Sequence, residues 1–287
     1  MKLLNTIIRW HISLAVAAVF LTLSAQIQLG MKPQLQPYLI LIFLSTLFEY
    51  NRHSIVILFF PGEALHSGKH ELIRKKHKIF FLTALILGIG FIASALSTKT
   101  EVLLAFFLLG FLTFFYSGLG FGNKNHHYKL REIPYLKIIL ITSIWSVSTI
   151  LLPVIQSGNE ILNTRVILLF TERFLFIFAI AIQFDIRDMQ ADRDAGLKTI
   201  PLLIGFGKAT IISYLSLLTC FFISFLHYRL QNQWFVIIAL FISLSATYLF
   251  IKLNLYLKLN RYYYQILDAT LLLQGMLVLG FYFLNRC

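Results

Sequence analysis

Residues 164–184, Thr164-Arg165-Val166-Ile167-Leu168-Leu169-Phe170-Thr171-Glu172-Arg173-Phe174-Leu175-Phe176-Ile177-Phe178-Ala179-Ile180-Ala181-Ile182-Gln183-Phe184, pass directly into Asp185-Ile186-Arg187-Asp188-Met189-Gln190-Ala191-Asp192-Arg193-Asp194. The first part is as long as the roughly 20 apolar residues with which a helix crosses a bilayer. The second is too charged to lie in hydrocarbon. An apolar run that ends this abruptly in acids and bases marks a membrane span reaching the interface. Because lipid offers the backbone no hydrogen-bond partners, the span is read as a helix.

Working outward, further apolar segments lie near 8–29, 37–60, 79–96, 101–119, 135–155, 209–228, 233–251 and 264–284. With 164–184 they make nine spans, and runs of this length suit helices rather than the short alternating strands of a barrel. Composition points the same way. The chain is 58% hydrophobic and 13% charged with a mean hydropathy of +0.78, whereas an average soluble domain is about 25% charged. A water-facing surface cannot be built from so few charges, and 28 Phe and 13 Tyr need lipid to cover them. The expected fold is therefore all-α: a polytopic membrane protein with nine transmembrane helices, forming one domain over residues 1–287. The first span, with Lys2 and Arg9 before it, is too long for a signal-peptide core and is read as retained. Cys220 and Cys287 form no disulfide framework.

The net charge of +13 raises the question of nucleic acid, and the placement of the charges answers it. Alternate gaps collect 19 Lys and Arg on one side and five on the other, with Arg173 left inside a span. This is the positive-inside pattern. It puts the amino terminus in the cytoplasm and the carboxyl terminus outside, with the plasma (inner) membrane as the expected location. The basic charge is then accounted for by topology and by attraction to anionic headgroups, and no nucleic-acid partner is expected.

Polar groups in or beside the spans are the functional candidates. If the helix of 164–184 continues, Asp185, Asp188 and Asp192 stand at i, i+3 and i+7 on one face. Stacked carboxylates repel unless a cation neutralises them. Mg²⁺ suits hard oxygen ligands and is commonly held by one or two carboxylates together with substrate phosphates, so this face beside Arg187, Arg193 and Lys198 could hold a diphosphate. An acidic and basic helix end that merely marks the interface would look the same. In Phe48-Glu49-Tyr50-Asn51-Arg52-His53, polar groups interrupt the second span, as a cavity wall or as helix-packing hydrogen bonds. Tyr116-Ser117 and the following Lys124, Asn125, His126, His127, Lys129 and Arg131 could bring cations to a phosphate, or form an ordinary positive-inside loop. Glu172, Arg173, Asp268 and Gln274 read as interhelical glue, Arg173 and Asp268 being the more suspicious because an unpaired charge there is costly. His66, His70 and Glu71 have zinc-like spacing that a histidine-containing basic loop also produces.

From Asp185 to Gly205 the chain resembles the UbiA superfamily of intramembrane prenyltransferases. The resemblance rests on the acids at Asp185, Asp188 and Asp192, then Gly196 and Thr199-Ile200-Pro201. Tyr116-Ser117 and the basic loop entering Leu130-Arg131-Glu132-Ile133-Pro134 extend it over most of the chain. It implies a helical fold around a central cavity that opens toward lipid for an isoprenoid tail and toward the cytoplasm for diphosphate and Mg²⁺. The implied reaction is transfer of a prenyl group from a prenyl diphosphate to an aromatic or quinone-like acceptor. By the same resemblance Asp188 and Asp192, assisted by Asp185, hold the metal, and Asn51 belongs to the catalytic set. Lys124, Arg131, Lys198, Arg52, Tyr116 and Arg173 are candidates for contact with substrate. The first acidic motif of the family departs here: Asn51 is followed by Ile55 and Phe59 where acids are usual, and Arg52 stands where an acid is common. A second class stays open, a non-catalytic membrane protein that binds an isoprenoid diphosphate or stabilises a membrane complex.

Overall fold

The structure, a computed structural model, describes residues 11–59, 77–117, 135–194, 196–257 and 262–286. Its long helices are α1 (Ile12–Gln28), α2 (Pro37–Phe59), α3 (His77–Leu96), α4 (Thr100–Ser117), α5 (Leu136–Ser157), α6 (Thr164–Arg187), α9 (Phe206–Arg229), α10 (Trp234–Leu257) and α11 (Tyr262–Leu284), with two short helices, α7 (Met189–Asp194) and α8 (Ile200–Ile204), between α6 and α9. Among the described residues five stretches, Leu136–Ser157, Thr164–Arg187, Phe206–Arg229, Trp234–Leu253 and Leu267–Leu284, are long and apolar enough to cross a bilayer; Ile12–Gln28, Phe81–Leu96 and Thr100–Thr113 are shorter apolar helices. The chain is an all-α, polytopic integral membrane protein. Large apolar side chains such as Leu82, Ile86 and Ile89 on α3 and Leu104, Phe107 and Leu108 on α4 are exposed, as expected of surfaces that meet lipid rather than water.

α1 organises the bundle. Its sequence Ala15-Val16-Ala17-Ala18 and Leu23-Ser24-Ala25 is rich in the small residues that let helices approach closely inside a membrane. From Leu21 to Gln28 every residue is buried, which a helix achieves only when surrounded by neighbours. It packs on α2, α5 and α11, and α5–α6–α9–α10–α11 close a circuit back to α1; α3 packs on α2, and α4 on α5. Leu14 and Leu21 of α1, Phe176 and Ile180 of α6, Leu217 of α9, Leu244 of α10 and Leu271 of α11 share one apolar core. α1 and α11 approach closely at Gly275 of α11, where an added Cβ would lie 2.6 Å from the Phe20 carbonyl carbon.

At the end of the bundle where α1 finishes and α6 begins, charged and polar side chains are buried together. Glu172, Arg173 and His227 are each only 3% exposed. The Glu172 carboxylate lies 2.6 Å from His227 Nδ1 and accepts from Ser224 Oγ at 2.9 Å. Arg173 Nη2 donates to Ser24 Oγ at 3.2 Å and Gln28 Oε1 at 3.0 Å, and Gln28 Nε2 donates on to the Tyr228 hydroxyl oxygen at 3.0 Å. Gln28, Glu172, Arg173, Ser224 and Gln274 line a cavity of about 10 Å³, at the lower limit of what holds one water. The network ties α1, α6 and α9 together through charges that would be costly in lipid without partners.

Gly275→Ala should push α1 and α11 apart and lower stability by about 1–3 kcal/mol, the usual range for overpacking, read as an earlier thermal transition in detergent. Glu172→Ala, which strands Ser224 and His227 and removes the negative charge near the Arg173 guanidinium, should cost about 3 kcal/mol or more, and Glu172→Gln should cost less in the same assay.

Candidate functional site

α6 does not continue through the acidic segment. It ends at Arg187, and Asp188 takes the C-cap position with φ −90° and ψ 5°. α7 restarts immediately, with Asp192 N–H donating to the Asp188 carbonyl at 2.8 Å. Gly196, at φ +69°, then occupies the left-handed conformation that glycine adopts without a Cβ penalty. There Leu197 N–H returns to the Asp192 carbonyl at 2.8 Å. Pro201 lies in the first turn of α8, where its missing N–H costs nothing. α8 packs on α6, α7 and α9, so the whole acidic segment is folded back against the end of the bundle.

The break decides which carboxylates meet. Asp185, on the last turn of α6, and Asp192, on α7, converge on the ammonium of Lys137 from the first turn of α5. Lys137 Nζ is 2.8 Å from Asp185 Oδ1 and 3.1 and 3.4 Å from the two oxygens of Asp192. The side chains of Asp185 and Asp192 are 6% and 9% exposed, that of Lys137 19%. Ile138, Ile182, Ile186, Ile200 and Ala209 form an apolar cluster at this end, which lowers the local dielectric and strengthens the ion pairs. Two carboxylates and one ammonium leave one negative charge uncompensated within the triad.

Asp188 goes elsewhere. Its oxygens accept from Arg187 Nε at 2.6 Å and Nη2 at 2.7 Å, its side chain is 35% exposed, and the same guanidinium lies 4.9 Å from the centroid of the Phe184 ring. The one-face arrangement expected of a continuous helix is therefore replaced by a pair, Asp185 with Asp192, and a separate Asp188–Arg187 bridge. Asp188 is held by the guanidinium of its own neighbour, while the turn that begins at its non-helical ψ sets where α7 places Asp192. Asp268 of α11 interacts electrostatically with Arg187.

The other residues singled out from sequence are distributed as follows. Asn51 is buried on α2 and donates to the Leu47 carbonyl of its own helix at 2.8 Å. Its neighbour Tyr50 meets Trp145 of α5 with ring centroids 6.5 Å apart, which brings the polar part of α2 beside the helix that carries Lys137. Lys198 is exposed on the turn between α7 and α8. Arg173 belongs to the buried network at the opposite end, about 18 Å from Asp185 along α6 at 1.5 Å per residue, and is not brought to the aspartates. Lys124 and Arg131, the side chains of Arg52 and Tyr116, and the His66, His70 and Glu71 group lie outside the described residues. Lys137 is the site residue that sequence reasoning misses, since charge counting places it only among the topology-setting lysines. Its position a few residues inside an apolar run, rather than in the loop, is the signal that sets it apart.

Among the described residues no three His, Cys, Asp or Glu side chains gather into a metal-holding group. The Asp185–Asp192 pair nevertheless fits Mg²⁺ in donor type and charge. It offers hard oxygens from two carboxylates and a residual negative charge, and Mg²⁺ ordinarily takes its remaining ligands from water and phosphate.

Comparison with known proteins agrees with this architecture. No curated protein sequence matches the chain. A solved chain from work on digeranylgeranylglyceryl phosphate synthase in membranes superposes with a TM-score of 0.52 at 19% identity, over 98% of each chain. At that identity the likeness is one of fold. The sequence profile of the UbiA prenyltransferase family matches residues 70–261, a stretch that holds Lys137, the acidic segment and the glycine–proline turns after it. The chain belongs to the UbiA prenyltransferase family.

Proposed function

We propose that the protein transfers a prenyl group from a prenyl diphosphate to a hydrophobic aromatic or quinone-like acceptor within the membrane, with Asp185 and Asp192 holding Mg²⁺. The observation that carries this reading is the pair of buried carboxylates drawn onto one cation at the end of a closed helical circuit. Members of the family are typically Mg²⁺-dependent prenyltransferases. A bound Mg²⁺ would supply neutralisation of the negative charge that develops on the leaving diphosphate.

The chain's own groups do the rest. Asp185 and Asp192 supply the oxygen ligands, and Asp188 joins them once its bridge to Arg187 opens. Lys198, with Lys124 and Arg131 of the basic loop, clamps the diphosphate. Asn51, Arg52 and Tyr116 complete the set that contacts substrate, and the positive charge of Arg52 takes over part of what the missing acids at positions 55 and 59 would have recruited. The apolar cluster around Ile138, Ile182 and Ile186 keeps water from the allylic cation. Arg173 has no part in the reaction and serves the buried network. In this reading nine spans enclose a central cavity open to the bilayer. The lysine and arginine bias supports a cytoplasmic amino terminus and an outward carboxyl terminus in the plasma (inner) membrane.

Incubation of purified protein with Mg²⁺, labelled prenyl diphosphates of several lengths and membrane-extracted acceptors should release diphosphate. Asp192→Asn or Asp185→Asn should lower that rate about 100-fold or more, the scale of losing one group that stabilises developing charge. Asp188→Asn should lower it less, because Asp188 is half-exposed and already bridged. Magnesium-dependent binding of the diphosphates with no turnover by any acceptor would instead assign the chain to a non-catalytic, lipid-diphosphate-binding role.

A further inference from the structure

The ammonium of Lys137 stands between the two carboxylates read above as the cation site. It bonds Asp185 Oδ1 at 2.8 Å and Asp192 Oδ2 at 3.1 Å, and oxygens engaged this way are the ones a metal between the two carboxylates would use. Mg²⁺ requires its oxygens at about 2.0–2.1 Å. The two positive charges therefore cannot occupy the space between the same oxygens together. We propose that Lys137 is a tethered counter-ion: it holds the Asp185–Asp192 pair together in the diphosphate-free protein, yields that place to the divalent cation, and then binds the diphosphate. This rests on the reading of Asp185 and Asp192 as the cation site and adds to it the step by which the site is loaded.

Three features of the structure support the exchange. First, a pair of buried carboxylates without a cation would repel across a low-dielectric space. A lysine built into the neighbouring helix removes that repulsion at all times. Second, lysine suits a group that must leave. Its charge sits on a flexible four-carbon stem and has no preferred planar fork, and its side chain keeps 19% exposure while its two partners keep 6% and 9%. The lysine side chain is therefore less enclosed than the two carboxylates it bonds. Third, its Cα is fixed on the first turn of α5, so a displaced ammonium stays within a side-chain length of the site, where an arriving diphosphate supplies a new anionic partner.

The exchange makes metal and diphosphate binding interdependent. Metal alone must break the ion pairs and leave an ammonium without a carboxylate. With diphosphate present the ammonium gains a partner, so each ligand should strengthen the other, as linkage requires. Removing the lysine charge should then act in opposite directions on the two ligands, a signature that a purely structural role would not produce.

The test uses the full chain in phosphatidylcholine nanodiscs, which carry no anionic headgroups to take up metal. Mn²⁺ binding is followed by electron paramagnetic resonance in the absence of substrate. Binding of farnesyl thiolodiphosphate, an unreactive prenyl diphosphate, is measured at saturating Mg²⁺. Lys137→Met should bind Mn²⁺ alone about tenfold more tightly than the wild type and the thiolodiphosphate about tenfold more weakly, the scale of one charge-assisted hydrogen bond. Lys137→Arg, which keeps the charge, should bind Mn²⁺ no more tightly than the wild type. If Lys137→Met does not fold, Lys137→Gln is compared with Lys137→Arg for the same opposition. Mn²⁺ affinity in Lys137→Met equal to or weaker than the wild type, or unchanged thiolodiphosphate affinity, overturns the proposal. Asp192→Asn separates the two levels. If it abolishes Mn²⁺ binding while Lys137→Met behaves as wild type, the cation site stands and only the exchange is lost. If no protein takes up Mn²⁺ with or without the thiolodiphosphate, the cation site itself is wrong and the exchange falls with it.

Discussion

A charge inside a helical membrane bundle has to bring its partner with it, because neither water nor lipid will supply one. This constraint shapes both ends of α6. At one end Glu172 and Arg173 are adjacent in sequence and buried, and α1 and α9 provide Ser24, Gln28, Ser224, His227 and Tyr228 to receive them. At the other end Asp185 and Asp192 are received by Lys137 of α5. Between the two lies mainly apolar packing, led by Phe176 and Ile180 against Leu21 and Leu217, with one buried polar link in which Gln183 Nε2 donates to Ser213 Oγ at 3.0 Å. α6 is thus held by one polar network in its first half and another at its last turn, with a mainly apolar seam between them, and its neighbours in the circuit are the helices that carry its partners.

The two ends differ in kind. The Glu172 network is nearly sealed, its cavity has room for about one water, and its groups are engaged from several helices, which is the character of a structural clamp. A larger cleft of about 190 Å³, lined by Met31, Gln233 and Arg286 among others, opens beside it, and neither cavity touches the aspartates. The Asp185–Asp192 end is only partly closed. It carries a residual negative charge and is bordered by the short helices α7 and α8, whose turns depend on Gly196 and Gly205 at positive φ. The proposed binding of a cation and a diphosphate is assigned to this end.

Much of this architecture is legible in the sequence. The long apolar runs demand helices in lipid, and the long helices of the described residues fall on the segments read from hydropathy. The spacing Asp185, Asp188, Asp192 followed by Gly196 and Thr199-Ile200-Pro201 points to the family whose profile matches residues 70–261. The suspicion that Arg173 needs a partner is sound, although its partners are Ser24 and Gln28 rather than anything near the aspartates. What the sequence does not disclose is which acids face one another. A periodic pattern assumes an unbroken helix, and nothing in Ile186-Arg187-Asp188-Met189 announces that the helix stops at Arg187.

Sequence alone determined the medium, the helical class, the acidic segment and the family resemblance, because these depend on composition, run length and local spacing, which tertiary contacts do not alter. Only the tertiary structure decided that Asp185 and Asp192 share a cation while Asp188 turns to Arg187, and that the shared cation is Lys137. That choice depends on the turn between α6 and α7, on the Arg187 guanidinium beside Asp188 and on how α5 is packed beside them. Lys137 is far from both acids along the chain, and no local pattern encodes an ion pair made across helices.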